Sequence, residues 1–450
     1  MKHNKRLLSL DLLRGLDMIL LTVVGPLFWA VNKVWTMPET VQLQFKHAWG
    51  GFTLWDIIMP LFIFACGAAI PYALSKRLDE DGWATGAFWK HVLGRFALLW
   101  FCGMLVQGNL ATLDPMKISP YNNTLQTIAA GYLIAALVML IPVRALRVVF
   151  PFALAGAYGA LLLFHGDYSQ EGNLAQVVEQ KVLEFLLPAG SSAFKTHGYT
   201  WFLTTLMFGA MTLCGAQCSE ILRGKGSGGR KATALLLVGG LLLGAGFALE
   251  LAVPCIKHIY TVSFTCQAMG WCVLALDVLY VLTDILPCRR GWWFVTLFGQ
   301  CALTAYMATH FFRPSLEACT KSITKGFPRF IDKAYMPLAE ALVTVVVLTI
   351  VLVIRRRLRG AQKADAAAAD TDATPDEPQA QAAAPEFKSK LMAGAIADRF
   401  KLPGVGEQNA TPNEAEGGAS QAAHVKTKLK LHADPDPSVV RLEPIDADAH

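Results

Sequence analysis

Ile57-Ile-Met-Pro60-Leu-Phe-Ile-Phe-Ala-Cys-Gly67-Ala-Ala-Ile-Pro-Tyr-Ala-Leu74 contains no Asp, Glu, Lys or Arg. A helix of roughly 17–25 apolar residues crosses the hydrocarbon core of a bilayer, so this stretch reads as a membrane span. Met18 to Val31 repeats the pattern, and Ala339 to Ile354 does so with a single acid, Glu340. The whole chain of 450 residues follows suit, with 54% hydrophobic residues, 16% charged ones and a mean hydropathy of +0.40. A soluble domain carries roughly 25% charged residues. The sequence therefore predicts an all-α, polytopic membrane helix bundle.

About ten candidate spans satisfy the length criterion, near 10–31, 54–75, 91–111, 124–142, 147–164, 200–222, 232–253, 261–285, 292–312 and 335–354. The segments between them alternate in cation content. One set carries Lys2, Lys5 and Arg6, then Lys76, Arg77 and Lys90, Arg144 and Arg147, Arg223 to Lys231, Arg289 and Arg290, and Arg355 to Arg359. The positive-inside rule makes these cytoplasmic, with both termini inside and the segments 32–53, 112–123, 165–199, 254–260 and 313–334 outside. The basic residues mark topology and lie in no single run or stripe, which argues against nucleic acid as a partner. Asp11, Arg14 and Asp17 interrupt the first apolar stretch and no small-residue cleavage site follows, so it reads as a retained span and not a signal peptide.

Residues 1–360 form the expected membrane domain, and 361–450, rich in Ala, Asp, Glu, Gln and Pro, a disordered cytoplasmic tail. Within it Phe387, Leu391, Met392, Ile396 and Phe400 share one helical face beside Lys388, Lys390, Arg399 and Lys401. That pattern suits an anionic membrane surface, and equally a transient helix. Ten cysteines, mostly inside apolar blocks, pack as small hydrophobes; no CxxC pair suggests a metal site. Cys255 and Cys319 both fall outward and are a candidate disulfide.

Ionisable groups inside spans need a partner, a wet cavity or a function. Asp11, Arg14 and Asp17 recur at i, i+3, i+6, so either carboxylate can neutralise Arg14. An anchoring ion pair explains them; so does an Arg14 that, with Arg95, binds an anionic phosphate ligand. The segment from Gln44 to Asp56 gathers His47, Trp49, Trp55, Gly50 and Gly51 just before an apolar helix. Thr53 and Asp56 fit a capping box, which leaves His47 unexplained. His47 is either a solvated loop histidine or a group that accepts a proton near neutral pH. Asp277, Tyr280 and Asp284 share one helix face, as do Tyr306 and His310. Asn122, Asn123, Gln126 and Lys257, with Thr261 and Ser263, extend a polar lining outward, and interhelical hydrogen bonds account for such faces equally well.

Several of these residues form familiar motifs. Ser9-Leu-Asp11-Leu-Leu-Arg14-Gly15, the stretch His47-Ala-Trp49-Gly-Gly-Phe-Thr53-Leu-Trp-Asp56 running on to Gly67, Pro254-Cys-Ile-Lys257-His-Ile-Tyr-Thr261-Val-Ser263-Phe264 and Tyr306-Met-Ala-Thr-His310 resemble the heparan-alpha-glucosaminide N-acetyltransferase family and its bacterial relatives. The likeness covers roughly residues 5 to 358. It implies an acyltransferase of a bacterial cytoplasmic membrane that takes acetyl from cytosolic acetyl-CoA, a co-substrate and not a resident cofactor, and delivers it to an outward amino sugar or glycan. It places the active-site histidine at His47, as base or as acyl carrier, and the derived topology sets CoA phosphates near Arg14 and Arg95; Asn122, Asn123 and the Trp49 indole are candidate oxyanion donors by residue type alone. Asp56, Lys257, Asp277, Tyr306, His310 and Gln126 line the acceptor side, no metal is implied, and a homodimer is compatible with it.

Two positions depart from the family. Gly25 stands where human-type members have an active-site asparagine, and Thr127 where an arginine is usual. The acceptor is therefore not carried over as heparan. A proton-coupled secondary transporter is the competing expectation, since intramembrane carboxylates suit a carrier, although the two halves show no convincing repeat.

Overall fold

The computed structural model describes residues 7–79, 82–194, 198–286, 288 and 290–372. Segment 387–400, and the tail beyond 372, lie outside the described residues. Apart from one isolated bridge between Leu78 and Ala84, the described residues are helical or irregular and hold no strand. In chain order we number α1 (Leu8–Val34), α2 (Ile58–Leu74, entered through a 3-10 turn at Leu54–Ile57), α3 (Gly86–Val106), α4 (Thr124–Met139) and α5 (Arg144–His165). There follow α6 (Leu174–Leu186), α7 (Thr205–Arg223), α8 (Gly228–Glu250), α9 (Val262–Ile285), α10 (Trp293–Gln300), α11 (Ala302–Thr309), α12 (Arg313–Thr324) and α13 (Met336–Asp372).

Among the described residues, six helical segments are long and apolar enough to cross a membrane: Leu8–Val34, Leu54–Arg77, Arg144–His165, Gly228–Glu250, Val262–Ile285 and Lys333–Gln362. In the apolar windows of α5 and α8 only 17% of residues are buried by protein, so Phe152, Leu163 and Leu241 face outward unprotected. Apolar faces of that extent are at home in lipid and not in water. The protein is a helical membrane protein.

The interior is closed by small residues at helix crossings. A Cβ built on Gly67 of α2 would lie 1.9 Å from the Thr212 carbonyl oxygen of α7, and one on Gly215 would lie 2.1 Å from that of Phe64. Backbones approach this closely only where neither side chain extends past hydrogen, the usual solution when lipid supplies no hydrophobic drive between helices. Ser219 Oγ then donates to the Ala68 carbonyl across the same crossing at 2.5 Å. Gly15 of α1 and Gly299 of α10 do the same where those two helices cross.

Four expectations change. The predicted span 292–312 is two helices, α10 and α11, interrupted at Cys301; the Gln300 carbonyl there accepts from Arg359 Nη1 at 3.2 Å. The segment 165–199, read as a loop, contains α6, whose N-cap Asn173 accepts from the Gln176 N–H at 2.9 Å. Helix α13 continues through Arg355 to Arg359 as far as Asp372, past the expected start of the tail at residue 361. The Cys255–Cys319 disulfide is not formed: both thiols are free, Cys255 buried under the turn that follows α8 and Cys319 exposed on α12.

Candidate functional site

The loop preceding α2 is folded back on itself. Gln44 accepts from the Trp55 N–H through its carbonyl at 2.9 Å and from the Leu54 N–H through its side chain at 3.1 Å. The Thr53 hydroxyl lies 3.0 Å from the Lys46 carbonyl and 2.8 Å from Asp56 Oδ2, one proton shared between two acceptors, while the Thr53 N–H donates to the same Oδ2 at 2.9 Å. The capping box is formed. It occupies only one oxygen of Asp56. The other, Oδ1, accepts from His47 Nδ1 at 2.7 Å, so the residue that ends the turn also holds the histidine.

A second segment completes the cluster. Between α8 and α9 the chain turns through Lys257 to Tyr260, closed by the Tyr260 N–H on the Lys257 carbonyl at 3.0 Å. Fully buried Tyr260 takes φ 46°, in the left-handed region that bulky side chains avoid. Tyr158 of α5 fastens the turn by donating to the Ile259 carbonyl. The turn delivers Lys257 Nζ to 3.4 Å from Asp56 Oδ1, 3.1 Å from His47 Nδ1 and 3.4 Å from His47 Nε2. Asp56 is wholly buried and Lys257 nearly so, whereas a third of the His47 side chain is open.

An acceptor-only carboxylate fixes the tautomer: Nδ1 carries the proton and Nε2 presents its lone pair. Burial pulls the Lys257 ammonium down from its ordinary range to about 8, against the upward pull of the Asp56 charge. Neighbouring His258 is pushed down to about 4, by burial first and then by Lys257 and His47, and stays neutral near pH 7. It packs between the rings of Trp49, at 5.1 Å, and Tyr199, at 4.2 Å.

His47 and Lys257 open into a cavity of about 750 Å³, the size of a typical small-molecule site. Tyr121, Asn122, Glu179, Tyr199, Trp201 and His310 are among its walls. A second cavity of about 130 Å³ is lined by Arg14, Arg95, Met18, Cys66 and Leu99. Phe62, Thr124 and Tyr306 line both, so the two spaces adjoin across these side chains. Arg14 Nη2 donates to the Ala65 carbonyl at 3.1 Å, and Arg95 sits 4.8 Å over the Tyr132 ring with Nη2 3.5 Å from Cys66 Sγ. Among the described residues no group of His, Cys, Asp and Glu is placed to hold a metal ion.

The remaining candidate residues divide. Tyr306 and His310 stack at 4.2 Å and line the large cavity, as expected of a shared face. Gln126 is engaged by its own loop, donating to the Pro120 carbonyl at 2.6 Å and accepting from the Asn122 N–H at 3.0 Å. Asn123 is the α4 N-cap and donates to Gln107 Oε1 at 2.7 Å. Asn122 gives its side-chain N–H to the Gln107 carbonyl at 3.0 Å, and the Trp49 indole gives its own to the Tyr168 carbonyl at 3.2 Å. The oxyanion donors expected at Trp49, Asn122 and Asn123 thus already have partners, and Lys257 is the donor at the cavity wall beside His47.

Asp277 lines neither cavity, and Asp284, on the same face, accepts from the Leu8 and Ser9 N–H groups at 3.4 and 3.2 Å, capping α1. Asp17 is fully buried with no hydrogen-bond partner for either carboxylate oxygen among the described residues, so it does not neutralise Arg14 by contact. The place of Gly25 is explained by Trp55, whose ring would lie 2.3 Å from a Cβ there; the indole fills the space of a longer side chain.

Glu179, Tyr199 and Trp201 were not among the candidates. Glu179 sits on the buried face of α6, and the Asn173-to-Gln176 spacing is a helix-start signal that exposes this helix in the sequence. Burial raises the Glu179 carboxyl to about 7, although the Trp201 and Phe202 N–H groups donate to its Oε2 at 2.9 and 3.0 Å.

A family described as "Domain of unknown function (DUF5009)" matches residues 6–114, a segment that includes Arg14, His47, Asp56 and Arg95. No curated protein matches the chain.

Proposed function

We propose that the protein is a transmembrane acyltransferase that moves an acetyl group from cytosolic acetyl-CoA to an amino sugar or glycan on the outer side of the membrane. The observation that carries this reading is the His47, Asp56 and Lys257 cluster at the wall of a large cavity that adjoins a second, smaller one, reached by Arg14 and Arg95, across Phe62, Thr124 and Tyr306. The proposal takes the broken α10–α11 pair as one span, giving ten in all, with both termini cytoplasmic.

The smaller cavity, at about 130 Å³, is too small for a nucleotide. CoA phosphates accordingly stay at the cytoplasmic cations while the thioester reaches toward His47, and Arg14 and Arg95 meet the acyl-pantetheine arm on its way. In the transfer, the acceptor amine forms a C–N bond to the acetyl carbon and the C–S bond breaks. His47 Nε2 takes the amine proton and the thiolate leaves to be protonated. Asp56 holds the tautomer and stabilises the imidazolium, and Lys257 donates toward the developing oxyanion. The same Nε2 is the atom that would carry an acetyl in a two-step route.

The test is transfer of label from radioactive acetyl-CoA by purified protein, wild type beside His47→Ala, with a panel of glucosamine acceptors. Transfer lost in the variant supports the reading, and label kept on wild-type protein without acceptor selects the two-step route. Absence of CoA binding and of transfer in both refutes it. The helix break at Cys301, the π turns at Leu20–Val24 and Val281–Ile285, and unpartnered Asp17 favour the second reading, a proton-coupled transporter, for which uptake is the assay.

A further inference from the structure

An amine that receives an acetyl group here must stand at the cavity wall within reach of His47 Nε2, the atom that takes its proton. The protein carries such an amine itself. Lys257 Nζ lies 3.4 Å from His47 Nε2, and both side chains line the large cavity. The turn beneath the lysine is pinned on every side: Tyr158 donates to the Ile259 carbonyl, the Tyr260 N–H to the Lys257 carbonyl at 3.0 Å, and the Ile256 N–H to Thr261 Oγ1 at 3.0 Å. The amine is therefore held against the histidine. Its side chain is only 4% exposed, and burial draws the ammonium down to about 8. About a tenth is then free amine at pH 7, against fewer than about one in a thousand for an ordinary lysine. Lys117 lines the same cavity but is mostly exposed and paired with Asp114 at 3.1 Å.

We infer that Lys257 is a self-acetylation site, whose Nζ takes the acetyl group when acetyl-CoA is bound and no acceptor fills the outer cavity. The inference rests on the acyltransferase reading for the arrival of acetyl-CoA, and on the geometry of Lys257 and His47 alone for the nucleophile. The Nζ lone pair attacks the thioester carbon, the Nζ–C bond forms, and the C–S bond breaks to release CoA thiolate. His47 Nε2 takes the proton that the amine sheds and passes it to the thiolate, so acetyl-CoA is the one co-reactant consumed. From an acetyl already on Nε2, the same amine displaces the imidazole and gives the same product. That product is an amide, which does not hand its acetyl on to a sugar amine. It removes the cation that faces Asp56 and occupies the place beside His47 that an acceptor amine needs. Self-acetylation thus shuts down protein that meets acetyl-CoA without acceptor.

The experiment incubates the full chain in nanodiscs with acetyl-CoA and no acceptor, then maps acetyl-lysine by peptide mass spectrometry after hydroxylamine, which strips an acyl-imidazole and leaves the amide. Acetylation of Lys257 should exceed that of exposed Lys46 and Lys117 by about tenfold or more, although Lys257 is by far the least accessible of the three. His47→Ala should bring it down to their level, with His47→Gln as the second variant if the first fails to fold. Lys257 labelled no more than the exposed lysines in wild type, or labelled equally in the absence of the histidine, overturns the inference. A parallel incubation with p-nitrophenyl acetate, a small acetyl ester that carries no CoA, separates the two proposals. His47-dependent labelling of Lys257 by the ester, in a protein that neither binds CoA nor acetylates a sugar, supports the Lys257 nucleophile and refutes the acyltransferase. A protein that acetylates glucosamine from acetyl-CoA while Lys257 stays unmodified by both donors overturns the self-acetylation and leaves the acyltransferase standing.

Discussion

Replacing Asp56 with asparagine exchanges a buried carboxylate for an amide that cannot meet the same demands. Oδ2 accepts from Thr53 twice and Oδ1 accepts from His47. An amide has one oxygen, so either Thr53 or His47 faces an N–H₂ group, and a mismatch at a buried donor costs about 1–3 kcal/mol. Lys257 meanwhile loses its counter-charge. With its ammonium at about 8 in the native protein, the extra cost at pH 7 is limited to that of shedding the proton, about 1.4 kcal/mol for one pH unit. Together these predict a stability loss of about 2–4 kcal/mol, within reach of the 3–5 kcal/mol usual for a broken buried pair.

Because the Thr53 contacts outnumber the one to His47, the amide oxygen turns to Thr53 and the histidine moves its proton to Nε2. Acetyl transfer should then fall by about two to four orders of magnitude, as when a general base is lost or held in the wrong tautomer. Unfolding in mixed micelles followed by tryptophan fluorescence reads the first number, and label transfer from acetyl-CoA the second. Adding Lys257→Met should return about 1 kcal/mol of stability, the Lys257 share, and none of the transfer. A single variant that loses under about 0.5 kcal/mol and transfers within threefold of wild type would refute this account of the cluster.

Three further predictions follow from the packing and the charges. Gly67→Ala must displace the Thr212 backbone and should cost about 1–3 kcal/mol, whereas Gly94→Ala on α3, where a Cβ meets nothing within 4 Å, should be neutral or gain up to about 1 kcal/mol in the same assay. Asp284→Ala uncaps the start of α1 and should cost about 1 kcal/mol, with faster amide exchange at Leu8 and Ser9 as the local signature. Glu179 binds its proton more tightly folded, at about 7, than unfolded, near 4.5, so its contribution is complete below pH 4.5 and lost as the pH rises through 7. Thermal midpoints should fall across that window by the equivalent of about 3 kcal/mol, and Glu179→Gln should flatten the profile.

The sequence by itself determined that the chain is helical and lives in a membrane. Apolar runs such as Ile57 to Leu74 leave the backbone no partner except itself, and only a helix satisfies every N–H and C=O within one segment. Local spacing likewise settled the Thr53–Asp56 capping box, since both groups lie within a single turn, and singled out His47 as the group that box leaves over. Only the tertiary structure decided that one carboxylate serves both. It also brought in Lys257, 210 residues away along the chain, through a turn that depends on a left-handed Tyr260. The break at Cys301, Asp284 as a cap for α1, and the wall from Tyr199 to Glu179 belong to the same class. Periodicity reports which residues share a face; what that face meets is set by which helices cross, and crossings here are fixed by backbone contacts at Gly15, Gly67, Gly215 and Gly299, which have no side chain for a pattern to register.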